Sequence, residues 1–272
     1  MSPRPLVLTS SNMKGGCAKT STLFHLSGVF ANRGQQVLLI DADPQGSLSQ
    51  SMFSSQAIEE WNEAASLTGL FDDRLGSTPE QVIHATRFPH ISIVPATSGL
   101  KRFNHADPMA WGWLQDTIRQ LLAEVGSQYD IVLIDTPPNL QLLTWSAMVA
   151  ANTVVTPVIP EDYASQGLLH VKRFIEEVTH ARNPHLRWGG LLLTMVQMRL
   201  GIHIAYQQVI RQAYGDLVLN TVIPQVAAFK EAVAAKTPLP IYKPRVAGSK
   251  AIIALADELL VRFNSGILPE AA

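Results

Sequence analysis

Short apolar runs alternating with stretches of helical periodicity set the first limit on this chain. The runs at 5–10, 36–40, 91–95, 131–134, 153–159 and 189–195 read as strands. Two of them, Val37-Leu38-Leu39-Ile40 and Ile131-Val132-Leu133-Ile134, are unbroken. A strand without polar alternation must be covered on both faces, as in a parallel sheet flanked by helices. Helical patterns are expected at 19–33, 108–125, 142–151, 164–180, 202–214, 229–235 and 249–263. The fold expected is therefore α/β, a mostly parallel twisted sheet with helices on both faces. Residues 51–77 are the least regular and read as a surface excursion with a helix near 58–67. The 272 residues contain no repeat and no low-complexity linker, so residues 1–272 are expected to form a single domain.

No run of about 18 apolar residues is present, which argues against a membrane span. Met1 leads almost directly into Leu6-Val7-Leu8 with no signal-peptide pattern, and the one cysteine, Cys17, can form neither an internal disulfide nor a thiolate metal cage. These features point to a cytoplasmic protein. Net charge is −1, yet it is unevenly spread: residues 1–165 hold 9 basic and 15 acidic side chains, residues 166–272 hold 12 and 7. A basic back half suits a face that meets phosphate backbones.

The segment Lys14-Gly15-Gly16-Cys17-Ala18-Lys19-Thr20 lies between the first strand and the first long helix. A glycine turn lets backbone N–H groups converge on an anion, and the following helix adds its own free amides and dipole. Lys19 then reaches the terminal phosphates and the Thr20 hydroxyl can ligate Mg²⁺. The loop departs from GxxxxGK[ST], since Met13 and Ala18 stand where that pattern has glycines. Ala18 is expected to adopt an ordinary helical N-terminal conformation, in which its Cβ is harmless, and Cys17 to serve as a small packing residue. Asp41-Ala42-Asp43-Pro44-Gln45-Gly46-Ser47 follows the second strand, and Asp135-Thr136-Pro137-Pro138 follows the strand at 131–134. Carboxylates at the carboxyl ends of parallel strands face the crevice where ligands bind.

With its early lysine, the loop resembles the deviant Walker A box KGGxxK[ST], and the Asp-x-Asp-Pro-Gln box resembles that of the ParA/MinD superfamily of P-loop ATPases. Pro160-Glu161, Gly167-Leu168 and Ile223-Pro224 extend the likeness over most of the chain. The resemblance implies an ATPase that uses ATP and Mg²⁺. By that likeness Lys14 reaches across a dimer interface to the partner's phosphates, and Lys14, Lys19 and Asp43 carry catalysis, with Asp43 polarising the attacking water. It also implies nucleotide contacts from Lys14, Gly15, Gly16, Cys17, Ala18, Lys19, Thr20 and Ser21, with Pro224 and Gln225 against the base. Thr20, Asp41 and Asp135 would form or order the metal shell.

One cysteine excludes the iron–sulfur relatives, and the last helix lacks the basic polar face of a membrane-surface helix. With no room for a helix-turn-helix before the phosphate loop, the chain resembles the short ParA class. That class implies homodimers on ATP binding, non-specific double-stranded DNA as a ligand, a ParB-like centromere-binding or cargo-adaptor partner and a nucleoid-associated location. Arg199 falls where the family places a DNA-contacting arginine, and Lys230, Lys236, Lys243, Arg245 and Lys250 add positive charge, although Gln225 and Ala228 replace arginines often found after the late Ile-Pro. The alternatives are a ParA-like ATPase that positions a protein cargo, a metabolic P-loop ATP-dependent ligase, and a scaffold that binds nucleotide without turnover.

Overall fold

The structure, a computed structural model, describes residues 5–161 and 164–265. Eight strands form one sheet in the order β3-β4-β2-β5-β1-β6-β7-β8. They are β1 (Leu6–Ser10), β2 (Val37–Asp41), β3 (His84–Ala85), β4 (Ile91–Val94), β5 (Ile131–Asp135), β6 (Thr153–Val158), β7 (Arg187–Val196) and β8 (Val218–Pro224). Only β3 runs antiparallel to its neighbour. The unbroken apolar runs form the middle of the sheet, where β1, β2 and β5 are buried along their whole length. Their side chains alternate between two cores: Leu38, Ile40, Val132 and Ile134 face one, Leu39, Leu8, Ile131 and Leu133 the other. Burial of some 150 Å² of apolar surface per large side chain, at about 25 cal/mol per Å², is the main force holding these layers together.

Register then decides where chemistry can occur. Ser10 pairs with Asp135 and Asp41 pairs with Asp135, so the carboxyl ends of three central strands stand level. The chain leaves β1 toward β2 on one side and leaves β5 toward β6 on the other, creating the crevice in which doubly wound sheets bind ligands.

Three expectations on the chain's organisation need correcting. β8 reads poorly as a strand because Asn220 and Thr221 interrupt its apolar pattern. It is an edge strand, and the Glu258 carboxylate accepts the N–H groups of those two residues at 2.7 and 2.8 Å. The expected helix 108–125 is broken: Gly112 has φ 50° and ψ −122°, so a 3₁₀ stretch precedes the α-helix Thr117–Val125. In place of one helix near 58–67 there are short helices at Ser55–Glu59 and Leu67–Phe71, started by the Ser54 and Ser66 side chains, which accept N–H groups of the turns that follow.

Candidate active site

The phosphate loop links β1 to the first helix, Lys19–Asn32. Gly16 and Ala18 both have left-handed backbones, φ 72° and 70°. This overturns the expectation for Ala18: it is not helical but is the cap residue before Lys19. The chain must reverse its twist there to enter the helix with its amides facing inward, and an L side chain bears strain in doing so. Ala18→Gly is accordingly expected to raise stability by about 0.5–1 kcal/mol, read as a higher urea midpoint at unchanged m; a lower midpoint would show that the Ala18 methyl contributes more by packing than it costs in backbone strain.

The two lysines differ in placement. Lys19 is 7% exposed, and its ammonium donates to the carbonyls of Asn12 and Lys14 at 3.0 and 3.3 Å. Lys14 points away from its own loop and pairs with Glu161 at 2.8 Å, both side chains being about half exposed. The Asn12 amide ties the loop to the end of β6 by donating to Pro157 O at 2.7 Å while its oxygen accepts the Lys14 N–H. Cys17 is buried, donates to Lys14 O, and its carbonyl accepts the Thr194 hydroxyl. Burial pushes its thiol above the usual range, so it stays neutral and packs as expected.

Next to the loop lie three carboxylates. Thr20 Oγ1 donates to Asp135 Oδ2 at 2.6 Å, whereas Asp135 Oδ1 is buried with no partner among the described residues. Asp41 Oδ2 accepts the N–H and hydroxyl of Ser49 at 2.8 and 2.6 Å, and its Oδ1 accepts the Asp43 N–H at 3.2 Å. Both oxygens of Asp41, expected in the metal shell, are thus engaged in shaping the loop that presents Asp43. Burial raises Asp41 to about 7 and lifts Asp135 well above the usual carboxylate range, the Asp41 charge adding to the latter. Asp43 is raised by burial against the opposing Gln45 amide and Lys19 charge. Crowded acids with an unused oxygen and a hydroxyl fit a hard divalent cation. Among the described residues no group of three His, Cys, Asp or Glu is placed to cage a metal by itself.

Of the three carboxylates Asp43 lines a cleft of about 670 Å³, together with Lys19 and Thr20 of the phosphate loop and helix and with Met195, Ile223, Pro224, Gln225 and Phe229. Pro224 and Gln225, expected against the base, both line this cleft. The Gln225 N–H donates to Val196 O at 3.0 Å and its side-chain oxygen accepts the Gln197 amide. Met195 has φ 54°, backbone strain of the kind stored at ligand clamps.

The AAA-domain family model AAA_31 matches residues 6–188, from β1 into β7. Over 270 residues the chain is 34% identical to the chromosome partitioning protein ParA of Caulobacter vibrioides, covering 96% of this chain and 97% of the relative. The chain belongs to the ParA/Soj family. The sporulation initiation inhibitor protein Soj of Bacillus subtilis is 31% identical over 93% of this ParA-family chain and 97% of its own length. Among solved structures, cobyrinic acid a,c-diamide synthase from Mycobacterium smegmatis with bound ADP and magnesium superposes with a TM-score of 0.79 at 27% identity, covering 98% of this chain and 99% of that one. MinD of Pyrococcus horikoshii with Mg-ADP gives 0.73 at 25% identity, covering 97% and 98%.

The basic residues singled out in this ParA-family chain are not equivalent. Arg199, Arg245 and Lys250 are exposed. Lys230 is also exposed but lines the cleft. Lys243 pairs with Glu231. Lys236 is half-buried and donates to Gln50 O at 3.0 Å, which ties it to the fold. Ser49, His25 and Phe229 were not legible as site residues because no motif marks them, and Glu161, named only within the Pro160-Glu161 likeness, was not legible as the partner of Lys14, 147 positions away. Among the described residues no helix is long and apolar enough to cross a membrane.

Proposed function

We propose that residues 1–272 act as one ATPase domain, an ATP-dependent dimer switch that binds DNA without sequence preference and moves cargo. The observation that carries this reading is the division between the two lysines. Lys19 is packed into the phosphate loop and serves its own cleft. Lys14 lies outside that cleft on an exposed ion pair worth about 0–1 kcal/mol, so it can be redirected to a second copy at small cost. Gly15, Gly16, Cys17, Ala18 and Ser21 offer backbone to the phosphates of ATP, and Pro224 and Gln225 face the base. Thr20 and Asp135 would hold Mg²⁺, which neutralises phosphoryl charge when bound. Asp41 braces the loop behind, and Asp43 orients the attacking water. A cation supplied by the partner subunit makes hydrolysis depend on dimerisation.

Arg199, Arg245 and Lys250, with Lys230, Lys236 and Lys243 adding charge nearby, would give the dimer its DNA-binding face. A ParB-like centromere-binding or cargo-adaptor protein would stimulate hydrolysis and release the dimer, in the cytoplasm and on the nucleoid. Both classes of cargo, a replicon or a protein assembly, share this mechanism.

DNA retention measured with ATP·Mg, with ADP and without nucleotide tests the reading. ATP is expected to strengthen it at least tenfold, with a steep salt dependence. Lys14→Ala should keep ATP binding while losing both dimer and DNA retention. Retention indifferent to nucleotide would end the switch idea. The diamide synthase neighbour favours a second reading, an ATP-dependent ligase; ATP turnover that requires a small metabolite rather than DNA would select it.

A further inference from the structure

The phosphate reading accounts for most polar groups around the cleft, but not for His25. This residue sits in the second turn of the first helix, is fully buried and lines the cleft. The Leu239 N–H donates to its Nδ1 at 3.0 Å. A neutral imidazole carries one proton, so with Nδ1 acting as acceptor the hydrogen resides on Nε2. Burial keeps the ring neutral, lowering its pKa to about 3, and the tautomer therefore holds across the physiological range. That Nε2–H has no acceptor among the described residues. Folds rarely leave a buried donor unmatched without a use for it.

The surroundings indicate what would accept from it. Phe24 and Phe229 stand against the imidazole with ring centroids 5.0 and 5.1 Å away. Phe229 is half-buried, lies in the first turn of the helix Ala227–Ala234 and itself lines the cleft. Contact between Nε2 and a cleft ligand requires that ring to turn away from Nε2, which is buried as the structure stands. Ile223 and Pro224 add apolar wall beside it. A flat ligand with apolar faces and a lone pair on its edge matches this lining, and with the phosphates held at the other end the part that arrives here is the base.

We propose that His25 is a base-reading residue, its Nε2–H donating to a ring-nitrogen acceptor of a purine seated in the apolar end of the cleft. The proposal rests on the nucleotide reading above and assigns specificity to a residue outside the phosphate loop. It is a binding role; no proton is transferred.

The test compares the dissociation constants of ATP and of 1-deaza-, 3-deaza- and 7-deaza-ATP, measured by calorimetry on the full chain and on His25→Phe. In the unsubstituted chain one analogue is expected to bind about tenfold more weakly than ATP, the share of one neutral hydrogen bond to a buried donor. In His25→Phe ATP should fall to that level and the ratio should approach one. Taking the ratio within each protein cancels any general loss of fold. His25→Gln, which keeps a donor and an acceptor, should restore part of the discrimination and covers the case in which phenylalanine unfolds the chain. Equal binding of all three analogues by the unsubstituted chain would overturn the proposal. So would the same ratio in chain and variant, which would leave the N–H on the Phe229 ring face. Failure to bind ATP at all would instead remove the nucleotide reading, a distinct result.

Discussion

Lys19→Ala is expected to lower ATP turnover at least 100-fold, about 2.7 kcal/mol of lost transition-state stabilisation, while leaving the far-ultraviolet circular dichroism unchanged. Lys19 is the buried cation of the cleft, and its present partners are two loop carbonyls. Those carbonyls can turn to water once the side chain is gone. The loop keeps its anchors at Thr194 and Pro157, so the fold should survive. Turnover within tenfold of the unsubstituted chain would show that Lys19 does not meet the phosphates. A collapse of the dichroism would show that it is structural first.

Asp135→Asn is expected to act in opposite directions on stability and on activity. Two buried carboxylates, Asp41 and Asp135, sit side by side with raised pKa values. In the window from about 4 to about 7 the folded chain then binds more protons than the unfolded one, and this contribution to stability falls as pH rises. For Asp41 alone, moving from 3.8 to about 7 sets a ceiling of about 4 kcal/mol at roughly 1.4 kcal/mol per pH unit. His25 works the other way: its lowered pKa means stability is lost as pH falls below the unfolded value near 6.5. Comparing variant with parent cancels His25. The nucleotide-free asparagine variant should be more stable than the parent at pH 8, by about 1–3 kcal/mol, and the difference should shrink toward pH 5. Its Mg-dependent ATP turnover should fall at least 100-fold. Urea melts at the two pH values decide the first point. A variant less stable than its parent at pH 8 refutes the crowding of charge described here.

The centre of the sheet and the phosphate loop were legible because their signals are local. Unbroken Val, Ile and Leu runs leave β2 and β5 no other place, and Lys14 to Thr20 carry their chemistry in seven consecutive residues. What escaped depends on distant partners or on conformation. β8 looks polar until Glu258, 38 residues on, is seen holding its N–H groups. The Ala18 backbone is invisible because its residue type argues for the opposite conformation. Lys14 and Glu161 lie 147 positions apart, and neither flank advertises the other. His25 stands among Leu23, Phe24 and Leu26 in its helix, indistinguishable in sequence from a satisfied core histidine.

Gly28 explains where such a molecule can give way. A Cβ there would come 2.5 Å from Pro238 Cβ, so the first helix and the turn Leu239–Tyr242 abut with no room between them. The N–H that Leu239 gives to His25 pins the same seam. The rear of the nucleotide cleft is thus a hard backstop. Met195, which also lines the cleft, instead holds a left-handed backbone, and beside it the Gln197 amide donates to Gln225. A ligand that relieved the Met195 backbone would act four residues before Arg199, on the exposed segment that bears it.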